Sequence, residues 1–314
     1  MIKSRKGKIF ISIICFIGLA VLSVAIYVNA EMGKMKKVEI PKSNQDLSIS
    51  DASSALDPNI VNIALFGVND TPESEGNPDP NASDSIMILS IDNKQNKVKL
   101  ISILRDTYVY SDETDFTKIN NTFAYGGAAL AVKTLNSSFK LNIKDYAIVD
   151  FNGFKDVIDS LGGVKVEIKD YEVPTMSKVG INSSGAHTLN GTQALAYCRI
   201  RKVGDQDFER TERQRVVLEK VFEKIKSGGI ATYPSVTNKL LPYIETNMTK
   251  MDIISLGTSI VSSNSGTMER ARFPMEGYWY GMTKDNKWYC VPAQPATTDQ
   301  IHNFIYKDIV PMAK

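Results

Sequence analysis

The chain has 314 residues, with 37 Lys and Arg against 35 Asp and Glu, and a formal charge of +2. Setting aside Lys3, Arg5, Lys6 and Lys8 leaves 33 basic residues facing 35 acidic ones. That balance argues against a broad basic surface, so no nucleic-acid partner is expected. The only histidines, His187 and His302, and the three cysteines have no metal-type spacing, which sets aside zinc sites and Ser-His-Asp hydrolysis.

Residues 1–8 are basic, and Ile9 to Val28 is a run of twenty residues without a charge. As a helix it would span about 30 Å, the thickness of a bilayer's hydrocarbon core. The expectation is a transmembrane anchor over 9–28. The basic residues before it place the N-terminus in the cytoplasm and the rest of the chain outside, at the cell membrane. Lys34, Lys36 and Lys37 weaken that asymmetry slightly. The rival is a cleaved signal peptide, for which Val28-Asn29-Ala30 is a poor small-residue site. Residues 29–58, polar and rich in Lys, Ser and Asp, read as a stalk or linker, and residues 59–314 as the external domain.

Asn59 to Gly67 reads as a buried strand, and Asp70 to Ser83 as a proline-bearing surface loop. Ser85 to Ile91 and Val98 to Leu104 form a hairpin about the turn Asp92 to Asn96. Folding that hairpin sets Asp84 opposite roughly Leu104, close to Asp106. Two carboxylates at one sheet end repel unless a proton or cation separates them, and oxygen ligands of this kind suit Mg²⁺. The plainer alternative is that each acid caps a turn. Thr122 to Ser138 is helical, with Lys118 and Asn120 before it near an anion-favouring helix N-terminus. Asp145 to Asp150 and Val164 to Ile168 are strands, separated by a helix from Phe151 to Leu161 that Gly162-Gly163 stops. Strands alternating with helices give an α/β sheet with helices on its faces.

Tyr171 to Gly185 reads as an irregular flap, and Leu189-Asn190-Gly191 as a turn. Ala196 to Arg215 then holds five arginines. Tyr197 to Arg201 alternates like a strand, so Arg199 and Arg201 share a face and Cys198 takes the other. Val217, Val221 and Ile225 form a helical stripe that continues back to Gln214, Arg213 and Arg210. Arg215 falls with Glu212, Glu219 and Glu223 on the opposite, solvent face. Four inward arginines exceed what Asp205 and Asp207 can neutralise, and a bound phosphate or diphosphate would complete the balance. The plainer reading of such a run is a solvated face. One or two short helices follow in Tyr233 to Ser262, then a two-stranded ribbon in Ala271 to Pro292 and a closing helix from Thr298 to Ile309. Cys198 and Cys290 could bridge outside the cytoplasm, but spacing does not pair them.

Several of these stretches resemble one family, the LytR-CpsA-Psr proteins of Gram-positive cell walls. They are Ser83-Asp84-Ser85-Ile86-Met87, Ser102 to Tyr108, Lys118-Ile119-Asn120 with Ala124 to Gly127, Phe151 to Val164, and Tyr197 to Arg201 with Asp207, Phe208, Arg210, Arg213 and Gln214. The match runs from about Asn59 to Gly228. It departs from the pattern at Ala82, where a basic residue often stands, and at Asn69, where an acid is common.

The resemblance implies a central mixed sheet in an α-β-α arrangement. It also implies a phosphotransferase that moves a glycopolymer, of wall teichoic acid or capsule type, from a polyprenyl-pyrophosphate carrier to peptidoglycan. The implied partners are that lipid-linked donor, the peptidoglycan acceptor and membrane lipid. By resemblance Asp84 and Asp106 hold Mg²⁺, while Arg105, Arg199, Arg201 and Arg210 bind the diphosphate with Lys118 nearby. Asp207 orients arginines or assists the incoming hydroxyl, and Arg213 and Gln214 complete the wall. Two other readings use the same residues: a pyrophosphatase acting on the lipid carrier, and a lipid-phosphate-binding regulatory protein.

Overall fold

Strands β1 (Lys36–Lys37), β2 (Ile60–Gly67), β3 (Ser85–Asp92), β4 (Lys97–Ile103), β5 (Tyr108–Ser111), β6 (Asp115–Lys118) and β7 (Asp145–Val149) come first in the chain. They are followed by β8 (Val164–Ile168), β9 (Gly185–Leu189), β10 (Ile244–Thr246), β11 (Glu269–Phe273), β12 (Trp279–Lys284) and β13 (Lys287–Pro292). Seven of them make one mixed sheet in the order β1-β10-β7-β2-β3-β4-β11. The central strands are apolar at nearly every position because both faces of this sheet are covered. On one face Phe66, Ile86, Ile88, Ile101 and Ile103 pack with the helix Ile119–Phe139 and the closing helix Ala296–Lys307. On the other, Met87, Leu89, Ile91, Val98 and Leu100 meet Leu218 and Phe222 of the helix Gln206–Gly228, and Leu256 and Ile260 of the helix Lys250–Ser262. A third cluster joins the helices Phe151–Ser160 and Gly191–Cys198 to the β8–β9 hairpin and to Val217. The expected helix–sheet–helix layering is therefore present.

The computed structural model describes residues 36–68, 82–201, 206–228, 241–263 and 268–314. The anchor expected over 9–28, most of the expected loop Asp70 to Ser83, Asn69 and Asp205 lie outside the described residues. Among the described residues no helix is long and apolar enough to cross a membrane. The N-terminal transmembrane helix, the single-pass topology and the cell-membrane localisation drawn from it are therefore corrected: the described residues provide no spanning element on which they could rest.

Other expectations change in detail. Residues 36–58, read as a linker, pack onto the body: Ile40, Leu47 and Ile49 enter the main core, and Asn136 donates to the Leu47 carbonyl at 3.1 Å. The helix Ile119–Phe139 is broken at Gly126 and Gly127, the latter at φ +60, a conformation that costs a residue with a side chain far more than glycine. The Tyr171 to Gly185 stretch contains short helical turns at Asp170–Glu172, Val173–Met176 and Ser177–Val179. The segment expected as a strand over Tyr197 to Arg201 is instead the end of a helix. Asn190 accepts from the Gln193 N–H and Gln193 reaches back to the Asn190 N–H, a capping box that starts the helix Gly191–Cys198. Within the expected ribbon of Ala271 to Pro292, the first residues belong to β11, which pairs in parallel with β4. Only β12 and β13 form the hairpin, turning at Asp285 and Asn286.

Candidate active site

The site is built at the end of the β3–β4 hairpin. Ile86 pairs with Ile103 and Asp92 with Lys97, and this register carries Asp84 to a place opposite Arg105, one residue from the expected Leu104. The turn after β4 is fixed on several sides. Leu104 N–H donates to the Phe273 carbonyl at 3.1 Å, Asn120 N–H to that of Arg105 at 3.2 Å, and Cys290 N–H to that of Asp106 at 2.9 Å. Arg105 is held among three carboxylates: Nη1 lies 3.1 Å from Asp84, Nε 2.9 Å from Asp207 and 3.4 Å from Asp106. Burial opposes its charge, but Asp207, Asp106 and Asp84 together outweigh burial and raise its pKa. Lys118 reaches Asp106 at 2.5 Å, and Arg201 reaches Asp84 at 3.0 Å.

Arg210 enters from the first turns of the helix Gln206–Gly228, with only 2% of its surface exposed. Its Nη2 donates to the Asp84 carbonyl at 3.4 Å. Its Nη1 lies 3.5 Å from Asp207, an ion pair without hydrogen-bond geometry, since Nε and Nη1 are both buried without a hydrogen-bond partner. Burial, with Arg105 alongside, lowers this guanidinium to about 10. Asp207 moves oppositely: burial works against its charge, but Arg210 and Arg105 hold its carboxyl below the ordinary range. A cavity of about 580 Å³ opens here, lined by Leu104, Arg105, Asp106, Lys118, Arg201, Asp207, Phe208, Arg210, Thr211 and Trp288. Three carboxylates (Asp84, Asp106, Asp207) meet four cations (Arg105, Lys118, Arg201, Arg210), so the cluster carries a surplus positive charge suited to an anion. A larger cavity of about 990 Å³ lies near Gly126, but its Lys133 is already paired with Glu113 at 2.6 Å.

The remaining sequence candidates stand elsewhere. Arg199, at the C-cap of the helix Gly191–Cys198, is exposed and sits over the Phe151 ring at 5.0 Å. It shares no strand face with Arg201. Arg213 is buried, but its Nε pairs with Glu172 and its Nη2 with Glu209, both at 2.6 Å. Gln214 accepts from the Ser85 hydroxyl at 3.2 Å. Arg215, expected in solvent, is only 5% exposed. Strand β11 lies over that side of the helix, and its Arg270 pairs with Glu212 and Glu219 at 2.9 and 3.0 Å. Among the described residues no group of three or more His, Cys, Asp or Glu is arranged to hold a metal ion. Asp84 and Asp106 do supply oxygen donors beside the cavity, and Mg²⁺ commonly takes one or two protein carboxylates, completing its shell from water and substrate phosphate.

The model of the LytR_cpsA_psr family matches residues 22–304. The chain belongs to the LytR-CpsA-Psr family. It is 30% identical over 304 residues to a Bacillus mycoides protein named polyisoprenyl-teichoic acid–peptidoglycan teichoic acid transferase TagU, covering 94% of this chain and 95% of that one. Among solved structures, TagT bound to LI-WTA superposes with a TM-score of 0.65 at 26% identity, over 80% of this chain and 91% of that one. A LytR-CPS2A-psr family protein, YwtF (TagT), with bound octaprenyl pyrophosphate lipid, gives 0.61 at 25% identity over 79% and 91%. This LytR-CpsA-Psr chain is thus homologous to cell-wall glycopolymer transferases.

Two residues that bear on the reading of this LytR-CpsA-Psr site were missed in the sequence, one beside it and one within it. Glu172 is 1% exposed and neutralises Arg213, but it lies 41 residues away, in a stretch without helical or strand periodicity. Trp288 lines the cavity from β13. A signal for it existed, since both tryptophans of the chain, Trp279 and Trp288, fall in one short ribbon.

Proposed function

We propose that the chain transfers a glycopolymer from a polyprenyl diphosphate carrier to a hydroxyl of peptidoglycan. The observation that carries this reading is Arg210, a buried cation with two nitrogens lacking hydrogen-bond partners at a cavity that Arg105, Arg201 and Lys118 also line. A diphosphate presents enough oxygens to meet all four. TagU and TagT, the relatives with such names and ligands, favour this anion over others.

In the reaction, the hydroxyl oxygen of the acceptor forms a bond to the phosphorus that carries the glycan. The anhydride bond between the two phosphates breaks, and the hydroxyl proton ends on the departing polyprenyl phosphate or on water. The negative charge that gathers on the bridging and terminal oxygens meets guanidinium groups already fixed in place, so little reorganisation is needed. Asp207 serves this by positioning: held below the ordinary carboxylate range by Arg210 and Arg105, it is a poor proton acceptor and a good anchor for both. Arg201, the most exposed of the four cations at 40%, is held by Asp84 at 3.0 Å and keeps its other nitrogens available to an entering phosphate. Asp84 and Asp106 would hold a Mg²⁺ ion, which when bound supplies further neutralisation of the phosphate oxygens.

The test is incubation of the protein with a polyprenyl-diphosphate-linked saccharide and peptidoglycan fragments, with and without Mg²⁺, followed by mass spectrometry. The expected product is a phosphosaccharide joined to the glycan, with polyprenyl monophosphate released. Release without an adduct would replace transfer by pyrophosphatase activity. Tight binding without cleavage under any condition would leave a lipid-phosphate-binding protein.

A further inference from the structure

The cations account for the phosphates, and one wall of the same cavity is aromatic. Of the two rings that line it, Phe208 is occupied on its own account: Trp279 lies 5.0 Å away and the Arg272 guanidinium 4.2 Å from its centroid. Trp288 is different. It is 41% exposed, yet it is held. A Cβ on Gly281 would come within 2.9 Å of its Nε1 and 3.6 Å of its Cζ2, so the indole lies against the one residue of β12 that leaves it room. Trp279 meets it edge-on, at 6.1 Å and 78°. Strand β13 is itself joined to the acidic turn through the Cys290 N–H and the Asp106 carbonyl. The indole therefore has a fixed position relative to the cations.

A braced, solvent-facing indole at the edge of an anion site suits an apolar ring face attached to an anion. The C–H groups on one side of a pyranose make such a face, and aromatic side chains are common in pockets that must bind one end dry and leave the other wet. We propose that Trp288 is the stacking platform for the first sugar of the donor, the one bonded directly to the diphosphate. This rests on the transfer reading above and adds to it a residue that recognises the glycan. The donor's first sugar is favoured over an acceptor sugar because it is covalently tethered to phosphates that the same cavity holds. An acceptor ring has no such constraint.

The experiment compares binding of farnesyl diphosphate with that of farnesyl diphosphate bearing one N-acetylglucosamine, to the wild-type protein, Trp288→Ala and Trp288→Phe. Isothermal titration gives affinity, and thermal denaturation confirms the fold of each variant. For the wild type the sugar is expected to tighten binding by about tenfold, the upper range for an aromatic contact. Trp288→Ala should bind both ligands with the sugar-free affinity of the wild type, and Trp288→Phe should keep most of the gain. If Trp288→Ala retains the gain, or weakens both ligands equally, the platform is refuted while diphosphate binding stands. If Trp288→Ala instead weakens only a phosphate-free peptidoglycan disaccharide, the ring serves the acceptor and the proposal falls. If the wild type binds neither diphosphate, the transfer reading itself fails and takes the platform with it.

Discussion

Arg210 and Arg213 lie one turn apart on the same helix, both buried, and their surroundings give them different tasks. Arg213 is saturated by Glu172, Glu209 and the Ile200 carbonyl. Breaking a buried pair of this kind costs about 3–5 kcal/mol because the partner charge is left alone. Arg213→Ala should therefore lower the urea midpoint strongly, and a Glu172→Gln, Arg213→Met double variant should recover most of the loss. Arg210 is under-bonded and sits beside Arg105, so its charge is a cost in the free protein. Arg210→Met should leave the thermal midpoint unchanged or higher while reducing transfer by about 100-fold or more, as for removal of one fixed electrostatic contact. A matching loss of stability would show that Arg210 is a structural residue like its neighbour. Helical phase made the inward direction of both legible in the sequence. What separated them was a partner 41 residues away, and pairing across the fold leaves no local pattern.

At the scale of elements, the strands of the sheet's middle were readable because apolar runs bounded by turn residues admit few alternatives. The arginine helix was readable for the same reason, through its repeat. Short elements were not. Tyr197 to Arg201 alternates, but five residues of alternation fit either a strand or the last turn of a helix. The deciding signal lay upstream, in the Asn190 and Gln193 capping box. Asn190→Ala should cost about 1 kcal/mol, as loss of a helix N-cap does. Because that helix leads directly to Arg201, the variant should also weaken diphosphate binding, measured by titration. Strand β10, with three residues, carries no sequence signal and forms because neighbouring strands offer it partners. Arg215 shows the same gap: its helix face was assigned correctly relative to Glu212, but β11, which covers that face, comes more than fifty residues later.

For the whole molecule, the site draws on Asp84, the turn after β4, the arginine helix and the terminal ribbon, so it exists only when the full sheet and both helical layers have assembled. The cysteines report on that assembly. Cys198 and Cys290 are free and buried in different parts of the fold, and burial pushes each thiol up to about 12. At pH 8 neither should react with iodoacetamide in the folded protein, and both should react once urea unfolds it, with the two sites read by peptide mass mapping. Rapid labelling of Cys290 alone under native conditions would mean that the ribbon opens independently of the rest.

The margins of the seven-stranded sheet carry a consequence of their own. One edge is β1, whose described residues, Lys36 and Lys37, are both exposed; the other is β11, which bears Arg270 and Arg272. An open edge is a template on which a strand from another molecule can dock, and charged side chains on the edge, lysine above all, discourage it. Lysine and arginine at these two positions thus guard a protein with so apolar a sheet against joining its copies strand to strand.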